Sequence, residues 1–236
     1  MKIHGLQKMT LLDFPGCVAC TVFLGGCDMR CPFCHNWELV DGSAKVVTDE
    51  VGLLSFLKTR VGLLDGVAIT GGEPLLREEL PELIREIREL GFKIKLDTNG
   101  NHPDRLKKLL DEGLLDYVAI DIKNSKPRYE ETIGLPGFNI SNIEKSVELL
   151  LSKEANKINP DFDYEFRTTT LKQFHNRESF EAIGQWIKGA SNYYIQSFID
   201  RDTVPYSGFE AYSREELEVF LKIVKNYVDH TEIRGA

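Results

Sequence analysis

No cysteine lies outside residues 17–34, no apolar run approaches the roughly 20 residues that cross a bilayer, and no dense Lys/Arg tract, repeat or low-complexity stretch occurs. Lacking an apolar span, the sequence gives no signal for a membrane. Its start, MKIHGLQKMTLLDFPG, has neither the apolar segment nor the small-residue cleavage site of a secretory leader, so a cytoplasmic location is expected. With 29 basic against 37 acidic residues and a net charge of −8, the chain is poorly suited to gripping nucleic-acid phosphates. Its ligand is expected to be small or peptidic. The apolar share of 42% excludes a disordered or disulfide-scaffold chain, and the lack of linkers makes residues 1–236 one domain.

What is present is concentrated. Five cysteines lie in eighteen residues, an odd and local set that in a cytosolic chain points to metal or redox chemistry rather than disulfides. Cys17 and Cys20 fall in an apolar, β-branched run, Gly16 to Leu24, that reads as a buried strand. Residues three apart on a strand face opposite ways, so this pair reads as two small buried thiols. Cys27, Cys31 and Cys34 follow on a glycine-led loop with spacing C-x3-C-x2-C. Three thiolates at that spacing can meet one compact cluster, and a cubane held by three leaves one iron open to an outside ligand. A structural zinc site normally takes four ligands from two separated pairs, and His35, adjoining Cys34, is badly placed to be the fourth.

Short β-rich runs near residues 18–24, 66–70, 92–97, 116–122, 163–170 and 192–198 alternate with amphipathic helical patterns. Those patterns cover Thr48 to Arg60, the stretch of Leu80, Leu83, Ile84, Ile87 and Leu90, Pro103 to Glu112, Ser141 to Lys153, Glu178 to Lys188 and Ser213 to Val228. Alternating βα units imply parallel strands with right-handed crossovers, and six of them make an α/β fold, an incomplete (βα)6 TIM-like barrel with outer helices. In such folds the loops at the carboxyl ends of the strands build the site. The cysteine loop, Gly71 to Glu73, Asp97 to Gly100, Asp121 with Lys123, Arg167 with Thr168, and Gln196 all fall there.

These residues resemble a known family. Cys27, Cys31, Phe33 and Cys34 resemble the C-x3-C-x-aromatic-C hallmark of the radical S-adenosylmethionine (SAM) enzymes, and Gly71-Gly72-Glu73 resembles their GGE motif. The segments Leu96 to Gly100, Ile120 to Lys123 and Phe166 to Thr169 resemble motifs of glycyl-radical-enzyme activases. Leu6 to Gly16 and Cys34 to Val40 are most similar to the activating proteins of anaerobic ribonucleoside-triphosphate reductase, with pyruvate formate-lyase activating enzymes as runner-up.

The resemblance implies a [4Fe–4S] cluster on Cys27, Cys31 and Cys34, with SAM chelating the open iron and cleaved reductively to the 5′-deoxyadenosyl radical. It implies a glycyl-radical enzyme as protein substrate, and a flavodoxin- or ferredoxin-type electron donor. Gly71 and Gly72 would let backbone approach SAM, and the Glu73 carboxylate would accept from its ammonium group. Lys123 and Arg167 would face its carboxylate. Asp97, Thr98 and Asp121 would hold SAM and a monovalent cation, while His35, Asn36 and Trp37 would shield the cluster and approach the adenine. Gln7 to Pro15 is expected near the partner's glycine loop, with Asp13 and Phe14 on the open edge of the rim. His4, His102, His175 and His230 receive no role. The absence of other cysteines removes branches that need an auxiliary four-cysteine cluster. A small-molecule radical SAM enzyme, and from another class a closed zinc or iron–sulfur module without catalysis, remain the alternatives.

Overall fold

Strand and helix alternate along a computed structural model that describes residues 1–235. The strands are β1 (Lys2–Thr10), β2 (Ala19–Leu24), β3 (Thr48–Asp49), β4 (Gly66–Gly71), β5 (Lys93–Thr98), β6 (Tyr117–Asp121), β7 (Asp163–Thr170), β8 (Asn192–Ser197) and β9 (His230–Arg234). They form one sheet in the order β3-β1-β2-β4-β5-β6-β7-β8-β9. All pairs from β2 to β9 are parallel, whereas β1 runs antiparallel to both β2 and β3. The expected partial barrel is therefore present. To its six parallel strands the structure adds a seventh, β9, and an antiparallel edge.

Those additions escaped the sequence for a physical reason. In β1 only Ile3 and Thr10 are buried, and in β9 only Thr231, so neither strand shows an alternating apolar face. Two further helices, α1 (Trp37–Asp41) and α5 (Tyr129–Ile133), are too short at five residues each for a helical period to show. The longer helices follow the expected stretches: α2 (Glu50–Lys58), α3 (Leu80–Glu89), α4 (Pro103–Asp111), α6 (Ser141–Leu151), α7 (Arg177–Trp186) and α8 (Arg214–Val224). Thr48 and Asp49, read as the start of α2, instead pair with β1, and the Asp49 side chain caps the helix by accepting from Gly52 N at 2.9 Å. In α3 the residues Leu80, Leu83, Ile84 and Ile87 are all buried, which seats the helix on the outer face of the sheet. Among the described residues no helix is long and apolar enough to cross a membrane.

The two faces of the sheet differ. Ile94 and Leu96 of β5, Val118 and Ile120 of β6 and Phe166 of β7 belong to the apolar core under the helices. Alternate positions, Lys95, Asp97, Asp121, Glu165 and Arg167, carry charge on the inner face, where Lys95 and Glu165 are 2% and 0% exposed. Burial of that kind requires partners. Lys95 pairs with Asp97, Arg234 grips Glu165 at 3.0 and 3.1 Å, and Tyr117 donates to Glu165 at 2.9 Å.

One expectation about the opening segment is overturned. Because β1 runs antiparallel to β2, with Ile3 opposite Leu24 and Thr10 opposite Ala19, the chain descends from rim to floor before β2 climbs back. Phe14 is consequently 3% exposed on the floor against Ala19 and Tyr117, and Asp13 accepts from Thr21 Oγ1. Neither lies on the rim. The strand reading of Gly16 to Leu24 is also shortened: Cys17 sits in the turn before β2, its N–H bonded to Phe14 O at 3.1 Å, and is only half-buried. It packs with Phe14 and Ala19, whereas Cys20 faces the opposite apolar core with Val22 and Leu24, so the two thiols do point apart.

His175 fixes the loop ends of β6 and β7. Leu171 N–H donates to its Nδ1 at 3.2 Å, which leaves Nε2–H to donate to Lys123 O at 2.9 Å. This is a neutral imidazole, and burial pushes its pKa down to about 4. A depressed histidine contributes stability that is complete above the unfolded value near 6.5 and is lost as pH falls through about 4. Urea unfolding of the cluster-free chain at pH 7 and pH 4 should therefore show about 3 kcal/mol less pH-dependent loss in His175→Gln than in the native chain. Equal losses in the two chains would refute this role for His175.

Candidate functional site

The carboxyl ends of β2, β4, β5, β6 and β7 meet around a cavity of about 840 Å³ of atom-free space, part of it open to solvent. Cys27, Cys31 and Cys34 all line it, with Met29 and Phe33 from the same loop and His35 and Asn36 just beyond. Gly71 and Gly72 contribute from β4, Asp97, Thr98 and Asn99 from β5, Asp121 and Lys123 from β6, and Arg167 and Thr169 from β7. Of the residues singled out for cofactor binding, Glu73 and Trp37 are not in the lining.

The cysteine loop is held from three sides. Cys34 N–H bonds to Cys31 O at 3.1 Å, Met29 N–H points at Cys27 Sγ at 3.4 Å, and Arg30 N–H bonds to Ile133 O of α5 at 3.0 Å. Burial pushes the Cys27 thiol up to about 11, Cys31 up to about 12 and Cys34 upward. Thiols so placed ionise when a cationic group binds, which is the behaviour of metal-cluster ligands rather than of free nucleophiles. Among the described residues no three His, Cys, Asp or Glu side chains converge on a point that would hold a single ion. The thiols instead border one cavity, an arrangement that fits a polynuclear cluster. His35 is engaged elsewhere, its Nε2 at 2.7 Å from Ile199 O and its ring stacked on Phe198 at 5.4 Å. Phe33 packs on Phe174 and Phe209, with ring centroids 5.6 and 6.4 Å away, which anchors the loop between Cys31 and Cys34.

Glu73 has a different task from the one its motif suggested. It is 0% exposed, and its carboxylate accepts from Leu75 N at 3.0 Å, Thr98 Oγ1 at 2.8 Å and Asn99 N at 2.7 Å. Burial lifts its pKa to about 7 despite those donors. It ties β4 to the turn after β5 rather than presenting oxygens to a ligand. Gly71 O is likewise taken, by Asn36 Nδ2 at 3.2 Å.

Charge on the rim is arranged as a chain. Arg167 bridges Asp97, at 3.0 Å, and Asp121, at 2.5 Å, while Lys123 Nζ lies 3.0 Å from Asp121 and Lys95 pairs with Asp97. Burial alone would raise the two carboxyls, but Arg167 together with Lys95 or Lys123 holds both below the ordinary carboxylate range. Arg167 also lies 3.8 Å from Glu165, which Arg234 holds, so four cations face three carboxylates, and of the cations Lys123 and Arg167 border the cavity. Lys123 uses one of its three N–H donors on Asp121, so the others are available to an anionic ligand.

Sequence reasoning passed over Asp28, Asn99, Asn101 and His102. Asp28 accepts from Asn99 Nδ2 and Asn101 Nδ2, each at 2.7 Å, and pairs with His102 Nε2 at 3.0 Å. Burial would raise its carboxyl, but His102, Asn101 and Asn99 bring it down to about 2. These partners lie over 70 positions from Asp28, so no local spacing announced them.

Comparison with known proteins places this geometry in a family. Residues 21–181 match the sequence profile described as the Radical SAM superfamily. A protein of Methanocaldococcus jannaschii, provisionally named a glycyl-radical enzyme activating enzyme, is 32% identical over 98% of this chain and 95% of its own length. The pyruvate formate-lyase-activating enzyme of Clostridium pasteurianum is 34% identical over 52% of each chain. Among solved structures, SuiB of Streptococcus suis bound to S-adenosylmethionine superposes on 92% of this chain with a TM-score of 0.67 at 13% identity. That likeness concerns the fold, and this chain spans about half the length of SuiB and of the C. pasteurianum enzyme.

Proposed function

The chain belongs to the radical SAM superfamily, and we propose from that premise that it generates a glycyl radical on an anaerobic ribonucleoside-triphosphate reductase. It is a radical SAM oxidoreductase of the glycyl-radical-enzyme activase kind, and its cofactors are a [4Fe–4S] cluster and SAM. Cys27, Cys31 and Cys34 would hold the cluster. When bound, the cluster supplies an electron to the SAM sulfonium and so gives access to a hydrogen-abstracting 5′-deoxyadenosyl group.

This chain's residues bind, orient and exclude water. The observation that carries the reading is that three thiols and the rim cations Lys123 and Arg167 border one cavity. Lys123 and Arg167 would attract the SAM carboxylate, Asp97, Thr98 and Asp121 would offer oxygens to SAM and to a monovalent cation, and Asn36 would fix Gly71 beside them. The described residues share one sheet and one main apolar core, which supports a single radical SAM domain over residues 1–236. The sheet ends at β3 on one side and β9 on the other, so the partial barrel has an open flank suited to a partner's peptide loop.

Two measurements test the proposal. Reduced protein, SAM and the candidate reductase, mixed without oxygen, should give a glycyl radical by paramagnetic resonance. A radical on pyruvate formate-lyase and none on the reductase would move the assignment to that partner. SAM affinity should fall about ten- to a hundredfold in Lys123→Ala while iron absorbance persists, from the roughly 1.5–3 kcal/mol of one charge-assisted hydrogen bond. Unchanged affinity would reduce Lys123 to a partner of Asp121.

A further inference from the structure

The side chain of Asn99 lies between two groups of the cysteine loop. Its Nδ2 is 2.7 Å from Asp28 Oδ1 and 3.9 Å from Cys27 Sγ, within reach of a hydrogen bond to sulfur. The orientation of the amide is settled by its other contact, because Asn99 Oδ1 accepts from Asn101 N at 2.9 Å. A flipped amide would set oxygen against the Asp28 carboxylate and NH2 against the Asn101 N–H. Position is fixed as well: Asn99 N donates to the buried Glu73, and Asp28 is steadied by Asn101 and His102. The Asp28 carboxylate itself lies 4.0 Å from Cys27 Sγ.

A donor aimed at a ligand sulfur favours the more negative, reduced cluster, and a nearby carboxylate opposes it; hydrogen bonds and charge of this kind set cluster potentials. We propose that Asn99, oriented by Asp28, is a positioning residue that donates to the Cys27 sulfur and raises the potential at which the cluster takes its electron. The inference rests on Cys27 being a cluster ligand. Asn99 and Asp28 then act on the same sulfur with opposite signs.

That opposition is the test. In anaerobically reconstituted protein, a potentiometric titration followed by paramagnetic resonance should show Asn99→Leu with a lower potential, the reduced-to-oxidised ratio at fixed potential falling about tenfold, or about 59 mV for one electron. Asp28→Asn removes the charge and keeps an acceptor oxygen, so its potential should rise. An unchanged potential in Asn99→Leu at full iron content, or equal shifts in the same direction, would mark the contact as mere packing and overturn the proposal. Should Asn99→Leu assemble less iron, Asp28→Asn decides alone, and an unchanged or lowered potential there refutes it. Full iron retention in Cys27→Ala would instead overturn the ligand reading on which the inference stands.

Discussion

Replacing any one of Cys27, Cys31 and Cys34 by Ala should abolish SAM cleavage and strip the cluster, whereas Cys17→Ala combined with Cys20→Ala should retain about four irons per chain, the cubane stoichiometry. Geometry sets the two groups apart. The first three thiols border one cavity at the carboxyl ends of the strands. Cys17 packs on the floor with Phe14 and Ala19, and Cys20 faces the apolar core behind β2, so neither lines that cavity. Losing one of three proposed ligands would leave a cluster edge open to water, so the expected effect is total rather than partial. Removing the Cys20 sulfur from the core costs about 1 kcal/mol, the scale of one buried methylene, and should lower melting by a few degrees without touching iron. Iron and sulfide analysis of both proteins after anaerobic reconstitution gives the answer. Iron near zero in the double variant would mean the ligand set has been misread.

Legibility of the sequence followed the range of the interactions. Parallel strands buried on the helix side carry apolar runs that announce themselves, so β4 to β8 were readable to within one or two residues. The edge strands β1 and β9, buried at only one or two positions, had no such pattern. Candidate site residues could be placed because topology alone sends strand ends to one rim, and Asp97, Asp121, Lys123 and Arg167 do line one cavity. Their pairing was invisible, since Arg167 reaches Asp97 across 70 residues and Asp121 across 46. Position within a motif also misled. Glu73 follows two glycines as in a ligand-binding turn, yet burial and three protein donors make it a brace for Thr98 and Asn99. The opening segment misled through direction: adjacency to the cysteine loop in sequence became distance in space once β1 proved antiparallel.

The same correction applies to the glycine pair and yields the second large effect. A Cβ on Gly72 would lie 1.9 Å from Gly26 O and 2.6 Å from Gly26 C, both backbone atoms that no rotamer change can move. Gly71 is as constrained, with φ +121° and a Cβ position 2.3 Å from Leu24 O. Two hydrogen bonds clamp this crossing, Gly72 N to Leu24 O at 2.9 Å and Glu73 N to Gly26 O at 2.8 Å. Gly72→Ala must part the strands and break both, and buried groups left unpaired cost about 1–3 kcal/mol each. A loss of about 3–5 kcal/mol should lower the melting temperature by roughly 10–15 °C in a chain of this size. Gly26 immediately precedes Cys27, so the displaced backbone carries the first of the proposed cluster ligands with it, and iron content should fall together with stability. Gly42→Ala is the control for backbone strain alone: its φ of +84° is left-handed, a penalty Gly72 does not carry, and nothing lies within 4 Å of the new Cβ. Only the left-handed penalty of about 1–2 kcal/mol applies there, with iron retained. If Gly72→Ala melts no lower than Gly42→Ala and holds full iron, the glycines serve close approach to a ligand, as their motif first suggested. If it melts far lower and loses iron, their task is to let β4 pass against the cysteine loop.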